Sequence, residues 1–146
     1  MQMEHDLGFR LGRSHRAMRS FLVRELSTLG YSFEQYQTLL SLSQGDDIPQ
    51  NVLADRLSLE PTYTTRMLQR VEKTGLISRE RDAVDTRIVR VTITPQGRAA
   101  WERLEAVREE CLERVRASMG LQCAEELRGL LDTLYDSVTE LAQSES

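Results

Sequence analysis

The segment from Arg79 to Thr94 carries the side chains whose types and spacing could do the most definite chemistry. It reads RERDAVDTRIVRVTIT, so an aspartate-rich loop stands in front of an alternating β pattern. Within the loop, Arg87 follows Asp85 by two residues. An arginine at the edge of a short hairpin fits three roles: part of a solvated loop, an anion site, or a finger that enters a nucleic-acid groove. The elements that position this arginine decide between the three.

The charge of the chain is divided unevenly along its length. The formal net charge is −4, but residues 56 to 98 hold nine basic and five acidic side chains, a net of +4. The residues before this region sum to −2 and those after it to −6. A basic region inside an acidic protein is the electrostatic footprint expected for phosphate binding. A chance imbalance on a solvated surface is the alternative.

Length and composition limit the class of protein. With 146 residues and 40% hydrophobic content, the chain is expected to form one domain over residues 1–146. It has no run of about 18 apolar residues and no signal-peptide core, so we expect a cytoplasmic protein with no membrane partner. Cys111 and Cys123 lack the spacing of a zinc site or redox pair, and we expect both to be packed as small apolar groups. No metal or cofactor is predicted.

Hydrophobic periodicity predicts two helices in the first third of the chain. Leucines and other apolar residues recur at helical spacing over residues 6–30, with arginines between them, and Gly30 ends this helix. Ser32 precedes Gln35 by three residues, which is the spacing of a capping box. The second helix is therefore expected to begin after Ser32 and to end before Gly45.

A helix-turn-helix is predicted directly before the charged segment. A short helix follows Pro49, and the four residues SLEP separate it from the run TYTTRMLQRVEKTG. In that run Met67, Leu68 and Val71 have the spacing of one buried helix face, which leaves polar side chains on the other face. Gly75 suits the C-terminal cap. Two helices with so short a joint are typical of a helix-turn-helix.

The apolar period changes from about four to two after this helix. Val89, Val91 and Ile93 alternate with polar residues and predict a half-buried strand, for which LISRER is the expected partner. The connecting hexapeptide DAVDTR is too long for a two-residue turn and is rich in aspartate. We therefore expect a projecting loop at the tip of a hairpin.

Two long helices are predicted after the hairpin. Thr94 and Pro95 have the order favoured at a helix start, and Gly120 divides the apolar stripes that follow. The predicted fold is mainly α with a small β-hairpin (α+β), a winged helix-turn-helix with long N- and C-terminal helices. The apolar stripes of the first, fifth and sixth helices exceed what a small core buries, so they predict internal bundling or a dimer. We favour a homodimer.

The order and spacing of these elements resemble the MarR family of bacterial transcription regulators. The matching motifs, in chain order, are LA at residues 53–54, TR at 65–66, VEKTGLISR at 71–79, DTR at 85–87 and TITPQG at 92–97. Similar element order and helix length extend over nearly the whole chain. A single motif such as DTR is weak, but the joint order and spacing of all five are specific.

The resemblance implies a symmetric dimer that binds a pseudo-palindromic operator in double-stranded DNA. Residues 32–94 would form the DNA-binding lobe, and residues 6–30 and 95–143 the dimerisation helices. The fourth helix would enter the major groove, and the hairpin would reach the adjacent minor groove as a wing. The DNA-binding residues expected on this basis are Thr62, Tyr63, Thr64, Thr65, Arg66, Gln69, Arg70, Arg79, Arg81, Asp85, Arg87 and Arg90.

These residues have different expected roles. Arg66 is the leading candidate for a base or phosphate contact, and the alternative is a solvated arginine paired with Glu60 or with neighbours of Arg70. Tyr63 could stack on a sugar, reach a phosphate or pack inward. Arg87 matches the family's wing arginine, and Asp85 is the acid that would orient it before binding. Contacts to the DNA backbone are expected from Gln69, Arg70, Arg79, Arg81 and Arg90.

The resemblance also implies regulation by a small aromatic or phenolic anion that lodges between the DNA-binding lobe and the dimerisation helices. The expected lining residues are His15, Arg16, Arg19 and Tyr36. The alternative for His15 is a place in the core or in an interface. Redox-sensing members of the family carry a reactive cysteine in the N-terminal part of the chain, whereas Cys111 and Cys123 lie on late helices, so peroxide sensing is disfavoured.

The expected function is regulation of transcription by a homodimer, more often as a repressor, with DNA affinity modulated by a ligand. The alternative is a winged-helix protein-interaction module without DNA binding, and the basic segment counts against it. An enzyme is disfavoured because the chain has no HExxH motif and no glycine-rich phosphate loop. His5 and His15 are ten residues apart and off the helical period, so they offer no catalytic pair.

Overall fold

The structure, a computed structural model, describes residues 6–144, so His5 lies outside the described residues. Within this range it contains six helices and three strands. In chain order these are α1 (Leu7–Thr28), α2 (Phe33–Ser43), β1 (Ile48–Pro49), α3 (Gln50–Leu57), α4 (Pro61–Lys73), β2 (Ile77–Arg81), β3 (Val89–Ile93), α5 (Pro95–Met119) and α6 (Leu121–Ser144). One compact unit extends to Arg108, and a second begins at Glu109.

Side-chain caps fix the starts of the first two helices. The Asp6 carboxylate accepts a 2.7 Å hydrogen bond from the backbone N–H of Phe9 at the start of α1. At α2, the Gln35 N–H donates to Ser32 Oγ over 3.1 Å, and the Ser32 N–H donates to Gln35 Oε1 over 2.7 Å. This is the predicted capping box, and it is confirmed. Gly30, between the two helices, has a φ of 80°, which favours glycine.

The helix-turn-helix formed by α3 and α4 has a tighter joint than the sequence predicted. The joint is three residues long because Pro61 is the first residue of α4 and not part of the turn. Ser58 ends α3 in the left-handed conformation with a φ of 52°. The Glu60 carboxylate then caps α4 by accepting hydrogen bonds from the N–H groups of Thr62 and Tyr63, at 2.8 and 2.7 Å. These two N–H groups also hold the pKa of Glu60 below its ordinary value.

The predicted hairpin forms one part of a three-stranded antiparallel sheet with the order β1-β3-β2. In the hairpin Ile77 pairs with Ile93, so the two strands run in register as far as the loop. The third strand, β1, pairs Ile48 with Val91 and was missed by the sequence analysis. With two residues it is too short to produce an alternating pattern.

The core of the first unit lies between the helix-turn-helix, α2 and the sheet. The predicted inner face of α4 is confirmed, since Met67, Leu68 and Val71 are buried there. Each such side chain contributes roughly 1.5–3 kcal/mol of burial free energy. Other core residues are Leu26, Leu39, Leu42, Leu53, Val91 and Leu104. Burial of this face fixes the rotation of α4 and so decides which of its side chains meet solvent.

The end of α4, the start of β2 and the start of α5 meet at one joint. Thr94 caps α5 as predicted, since its Oγ1 accepts a 3.0 Å hydrogen bond from the N–H of Gly97. The same hydroxyl donates to the Gly75 carbonyl over 2.6 Å, and the Thr94 N–H donates to the Leu76 carbonyl over 3.1 Å. A Cβ at Gly97 would overlap the Leu76 carbonyl oxygen, so this close approach requires glycine.

The terminal helices expose apolar side chains. In the first unit, the exposed large apolar residues of α1 and its C-cap are Leu7, Met18, Val23 and Leu29. In the second unit, those of α6 are Leu121, Leu127, Leu130, Leu131, Tyr135, Val138 and Leu141. Within residues 6–144, no helix has the length and hydropathy needed to cross a membrane.

The two cysteines differ in burial. Cys111 on α5 is buried, as predicted. Cys123 is exposed, so the expectation that both thiols are packed was wrong for this one. Cys123 lies in the first turn of α6, and no described residue of that helix is buried.

Candidate nucleic-acid interface

The outer face of α4 presents cations that have no partner elsewhere in the described lobe. Arg66 and Lys73 are exposed, and neither makes a hydrogen bond or ion pair with any residue between 6 and 144. No direct ion pair joins Arg66 to Glu60, the expected alternative, although the positive charge of Arg66 helps to lower the pKa of that carboxylate. The Glu60 carboxylate is instead occupied by the backbone N–H groups that it caps. Thr62 and Gln69 are also exposed on this helix.

A carboxylate from α2 holds two further side chains of α4. Glu34 Oε1 accepts hydrogen bonds from the Tyr63 hydroxyl at 3.0 Å and from Arg70 Nη2 at 2.6 Å. Glu34 Oε2 accepts a third from Arg70 Nε at 3.2 Å, so the Arg70 guanidinium is bound through two nitrogens. The hydrogen bond from Arg70 lowers the pKa of Glu34. Burial and the neighbouring Glu34 raise the pKa of Tyr63.

This geometry excludes one of the three possibilities for Tyr63. Its side chain does not pack inward, because the residue is 41% exposed. The ring lies on the outer face of α4, and its hydroxyl is anchored to Glu34.

Thr65 is held by a chain of polar side chains that extends into the sheet. Its hydroxyl accepts a 2.6 Å hydrogen bond from Gln50 Nε2 at the start of α3 and donates to the Pro61 carbonyl over 3.1 Å. Gln50 Oε1 in turn accepts a 3.0 Å bond from Arg79 Nη2 of β2. The Glu72 carboxylate, on α4, accepts from the backbone N–H of Arg79 over 3.0 Å. Two elements, α3 and β2, are thereby tied to α4.

Two residues predicted to contact DNA lie in the interior. Thr64 is fully buried, and its hydroxyl donates to the Glu60 carbonyl over 2.9 Å, so it offers no surface to a duplex. Its position one turn before Met67 and Leu68 on the apolar stripe indicates this burial in the sequence. The Arg79 side chain is only 13% exposed. It alternates in phase with the buried Ile77 on β2 and takes part in the network around Gln50.

We call the hairpin of β2, β3 and the loop between them the wing. The tip of the wing, residues 82–87, is organised by hydrogen bonds among its own residues. Asp82 Oδ1 accepts hydrogen bonds from the N–H groups of Val84 and Asp85, at 2.8 and 2.9 Å, which lower the pKa of Asp82. Asp85 in turn accepts from Arg87 Nε at 2.9 Å and Nη2 at 2.8 Å. The side chain of Arg87 is nonetheless 88% exposed. The Asp85 carboxylate therefore orients the guanidinium without covering it, and this pairing lowers the pKa of Asp85.

The other two wing arginines are engaged within the protein. Arg81 Nη1 donates to the Thr86 carbonyl over 2.6 Å and so bridges the base of the loop. Arg90 Nε donates to Asp47 Oδ1 over 2.8 Å, and its Nη2 donates to the Asp47 carbonyl. A weaker contact of 3.4 Å joins Arg90 Nη1 to Asp82. Arg90 thus connects the wing to the loop before β1, and its expected phosphate contact stays a prediction.

An open cleft of about 360 Å³ lies between the start of α3 and the wing. Its lining includes Pro49 and Val52 on one side and Ile88, Val89 and Arg87 on the other. The walls are largely apolar, and Arg87 is the cation among the residues that line it. This cleft separates the exposed wing arginine from the helix-turn-helix.

The four residues expected to line a ligand site are divided between surface and core. His15 and Arg16 are exposed on α1, whereas Tyr36 is buried beside Phe33 and Trp101, with ring centroids 5.8 and 6.3 Å away. Arg19 lies between the exposed residues and the buried rings, since its guanidinium is 4.3 Å from the centroid of the Phe33 ring. Among the described residues, no group of three or more histidine, cysteine or acidic side chains is arranged to hold a metal ion.

Comparison with known proteins assigns the chain to a family. The model of the MarR family matches residues 32–89. The organic hydroperoxide resistance transcriptional regulator of Bacillus subtilis strain 168 is 30% identical over 145 residues, which are 98% of this chain and 94% of the relative. The chain belongs to the MarR family. This confirms the resemblance found in the sequence, and the family is one of transcriptional regulators.

Two further proteins, one of them compared by both sequence and structure, support the MarR-family fold. HTH-type transcriptional repressor Rv2887 of Mycobacterium tuberculosis is 29% identical over 128 residues, 88% of this chain and 92% of the relative. The crystal structure of Rv2887 in complex with salicylic acid has a TM-score of 0.70 and covers 88% of this chain and 96% of that chain. A mutant of MarR from E. coli, crystallised with operator DNA, has a TM-score of 0.80 at 24% identity, over 88% of this chain and 92% of that chain. The predicted winged helix-turn-helix is confirmed.

Several residues that organise this MarR-family site were missed by the sequence analysis. Glu34, Gln50 and Glu72 hold the side chains of α4 and β2, and Asp82 and Asp47 hold the wing. Asp82 had a local signal, because an aspartate two residues before a turn commonly accepts from the backbone. Glu34 and Gln50 act across 36 and 15 residues of chain and had none.

Proposed function

We propose that the protein is a sequence-specific DNA-binding repressor that acts in the cytoplasm as a homodimer and loses DNA affinity when a small aromatic or phenolic ligand binds. The observation that carries the proposal is the pairing of two exposed cationic elements. These are the outer face of α4, where Arg66 and Lys73 make no direct ion pair with a described residue, and a wing that presents Arg87. Membership of a family of transcriptional regulators supports the same function.

The major groove suits the face of α4. Only there does each base pair present a distinct pattern of donors and acceptors, and an α-helix fits its width. Thr62, Tyr63, Arg66 and Gln69 supply hydroxyl, aromatic, guanidinium and amide groups along the exposed side of this helix. We propose that Arg66 makes the base or phosphate contact of greatest energetic weight, with Thr65 kept in place by Gln50 behind it.

The minor groove suits the wing. A narrow minor groove carries enhanced negative potential that attracts an inserted arginine. Arg87 is exposed at the wing and held in orientation by Asp85, so part of its conformational entropy is lost before binding. Of the three roles considered for this arginine, the groove finger is the one that we propose. Arg81 would contribute to the local positive potential near the duplex backbone.

A homodimer would explain the apolar surfaces of the terminal helices. Soluble monomers seldom expose a row of large apolar side chains, and α6 exposes seven of them. We propose that α1, α5 and α6 form the dimer interface, and that the two copies of α4 meet two half-sites of a pseudo-palindromic operator about one helical turn apart.

Ligand modulation is supported by the salicylic acid complex of Rv2887 and by features of this chain. Arg19 provides a cation that stacks on the Phe33 ring, close to the buried Tyr36. An aromatic carboxylate could pair with such a guanidinium and pack against the rings. We propose this neighbourhood, with His15 and Arg16 at its exposed margin, as the ligand site.

Selection of bound sites from random DNA duplexes tests the proposal most directly. A pseudo-palindromic consensus with half-sites about one helical turn apart is the expected result. Sedimentation of the free protein and of its DNA complex should give a dimer, and added salicylate should weaken operator binding. The absence of any enriched sequence would favour the alternative, a winged-helix protein-interaction module that does not bind DNA.

The variant Arg66→Gln sharpens this test. It keeps the helix propensity and an exposed polar side chain but removes the cation from α4. We expect its consensus to lose information at the major-groove positions while the dimer remains intact. Lys73→Gln, at the last residue of the same helix, is the matched control, and we expect it to weaken binding equally for all sequences.

A further inference from the structure

Glu34 is an acidic side chain of α2 whose carboxylate accepts hydrogen bonds from two side chains on the outer face of α4. It lies at the second position of α2, 29 residues from Tyr63 and 36 from Arg70 in the chain. Both oxygens of its carboxylate are used. Oε1 accepts from Tyr63 and Arg70, and Oε2 accepts from Arg70 alone. A helix that presents cations to DNA thus carries one arginine bound to an internal anion.

We infer that Glu34 is a positioning residue that restrains Tyr63 and Arg70 on α4 and thereby raises the ratio of specific to non-specific DNA affinity. The inference rests on the proposed DNA-binding function and adds a determinant of specificity outside the helix-turn-helix. It follows from two separate effects of the same carboxylate, one on charge and one on side-chain freedom.

The effect on charge concerns Arg70. Arg66 and Arg70 are four residues apart and lie on the same side of α4. A free arginine at both positions would add phosphate contacts, which strengthen binding to every sequence alike. The bidentate pair with Glu34 withholds the Arg70 cation, and the carboxylate itself repels phosphate. The pKa of Glu34 is lowered by the hydrogen bond from Arg70, so the carboxylate is ionised at neutral pH.

The effect on side-chain freedom concerns Tyr63. This residue lies in the first turn of α4, the part of a recognition helix that meets base edges. Its ring is exposed, and its hydroxyl is fixed by Glu34. An aromatic ring already held in one position loses less entropy when it contacts a sugar or base. Glu34 therefore favours the contacts that depend on position while it suppresses those that depend on charge alone.

Salt titrations of binding to the selected operator and to a scrambled duplex of equal length test this inference. Glu34→Gln keeps an acceptor for Tyr63 but removes the charge that holds Arg70. We expect a several-fold increase in affinity for the scrambled duplex. The slope of log affinity against log salt should become steeper by about 0.9 for each additional phosphate that a protomer neutralises. The ratio of specific to non-specific affinity should fall accordingly.

Three further variants separate this effect from others. Arg70→Gln breaks the same ion pair without releasing a cation, so its salt slope should not exceed that of the wild type. The double variant Glu34→Gln with Arg70→Gln should not show the increase in affinity. Glu102→Gln removes the same charge from an exposed site on α5 and should leave both affinities unchanged. Because Glu34→Gln is expected to increase an affinity, a loss of folding cannot imitate the result.

The outcomes distinguish this inference from the function on which it rests. A selective wild type together with an unchanged slope and ratio in Glu34→Gln would overturn the role of Glu34 alone. An equal increase in Glu102→Gln would also overturn it, because the effect would then follow net charge. A wild type that prefers neither duplex would overturn the proposed function itself.

Discussion

The recognition helix α4 and the wing hold their exposed side chains in two different ways. On α4, the partners come from other helices: Glu34 for Tyr63 and Arg70, and Gln50 for Thr65. In the wing, Arg87 is bound by Asp85 only two residues away, and the loop is held by Asp82. The orientation of Arg87 is therefore set within its own short segment, whereas the side chains of α4 depend on other elements of the lobe.

This difference indicates which substitutions can move the exposed side chains of α4 and of the wing. A substitution in α2, α3 or β2 can move the side chains of α4 without touching DNA. A comparable effect on the orientation of Arg87 needs a change within residues 82–87. Four predictions test this contrast between distant and local support.

The largest effect on stability is expected at the distant network. Arg79→Met removes the hydrogen bonds to Gln50 and the Glu72 carboxylate from a side chain that is mostly buried. The free energy of unfolding should fall by about 2 kcal/mol because polar partners are left unsatisfied. Arg81→Met, on the same strand but exposed, is the control for urea unfolding. Equal losses of stability in the two variants would contradict the network.

The next effect is expected at the wing and concerns binding alone. Arg87→Ala should leave the thermal midpoint unchanged, since the residue is exposed and its partner is local. Operator affinity should fall roughly ten- to hundredfold. The salt slope should become shallower by about 0.9 for each phosphate that is no longer neutralised. Arg103→Ala on α5 is the control, and unchanged affinity of Arg87→Ala across a salt titration would reject the groove role.

A smaller effect separates two adjacent threonines. Thr64→Val removes a buried hydrogen bond to the Glu60 carbonyl and should cost about 1 kcal/mol of stability with no change in operator affinity. Thr65→Val breaks the hydrogen bond with Gln50 on the partly exposed side and should weaken specific binding. Loss of affinity in Thr64→Val at unchanged stability would return this residue to the interface.

The smallest effect is a shift in titration. Arg87 holds the pKa of Asp85 below its ordinary value of 3.8. A carboxylate with a lowered pKa in the folded state stabilises the fold above about pH 4, and this contribution is lost as the pH falls through the folded-state pKa. In Arg87→Ala, carbon-13 NMR should show the pKa of Asp85 rising towards 3.8. Persistence of the lowered value would mean that the N–H groups of the loop, and not Arg87, are its cause.

The same contrast explains how much could be predicted from the sequence. The Ser32–Gln35 capping box, the Thr94 cap and the Asp85–Arg87 pair involve residues within three positions of each other, and all three are confirmed. Such interactions leave a signature in a short window of sequence. The order of helices and the hairpin were predictable for the same reason, because hydrophobic periodicity is local.

The features that were missed depend on tertiary packing. β1 acquires its strand conformation by pairing with β3, more than 40 residues later in the chain. Glu34 and Gln50 look like ordinary polar residues on exposed helix faces until α4 packs against α2 and α3. Arg79 was misread because its charge suggested a surface role, although its phase on β2 matches that of the buried Ile77. Charge alone does not identify a phosphate contact when internal acceptors lie within reach.

The hydrogen bonds that join Thr94 to Gly75 and Leu76 bring the two ends of the wing hairpin to one point. Because the base of the hairpin is closed by these bonds, the length of its loop can change without moving the helices on either side. Replacing the loop residues 82–87 with a longer or shorter loop, while β2 and β3 keep Arg79 and Val91, would alter how far the tip extends. The end of α4 and the start of α5 would keep their separation. In this fold the reach of the wing and the spacing of the helices can therefore be varied independently.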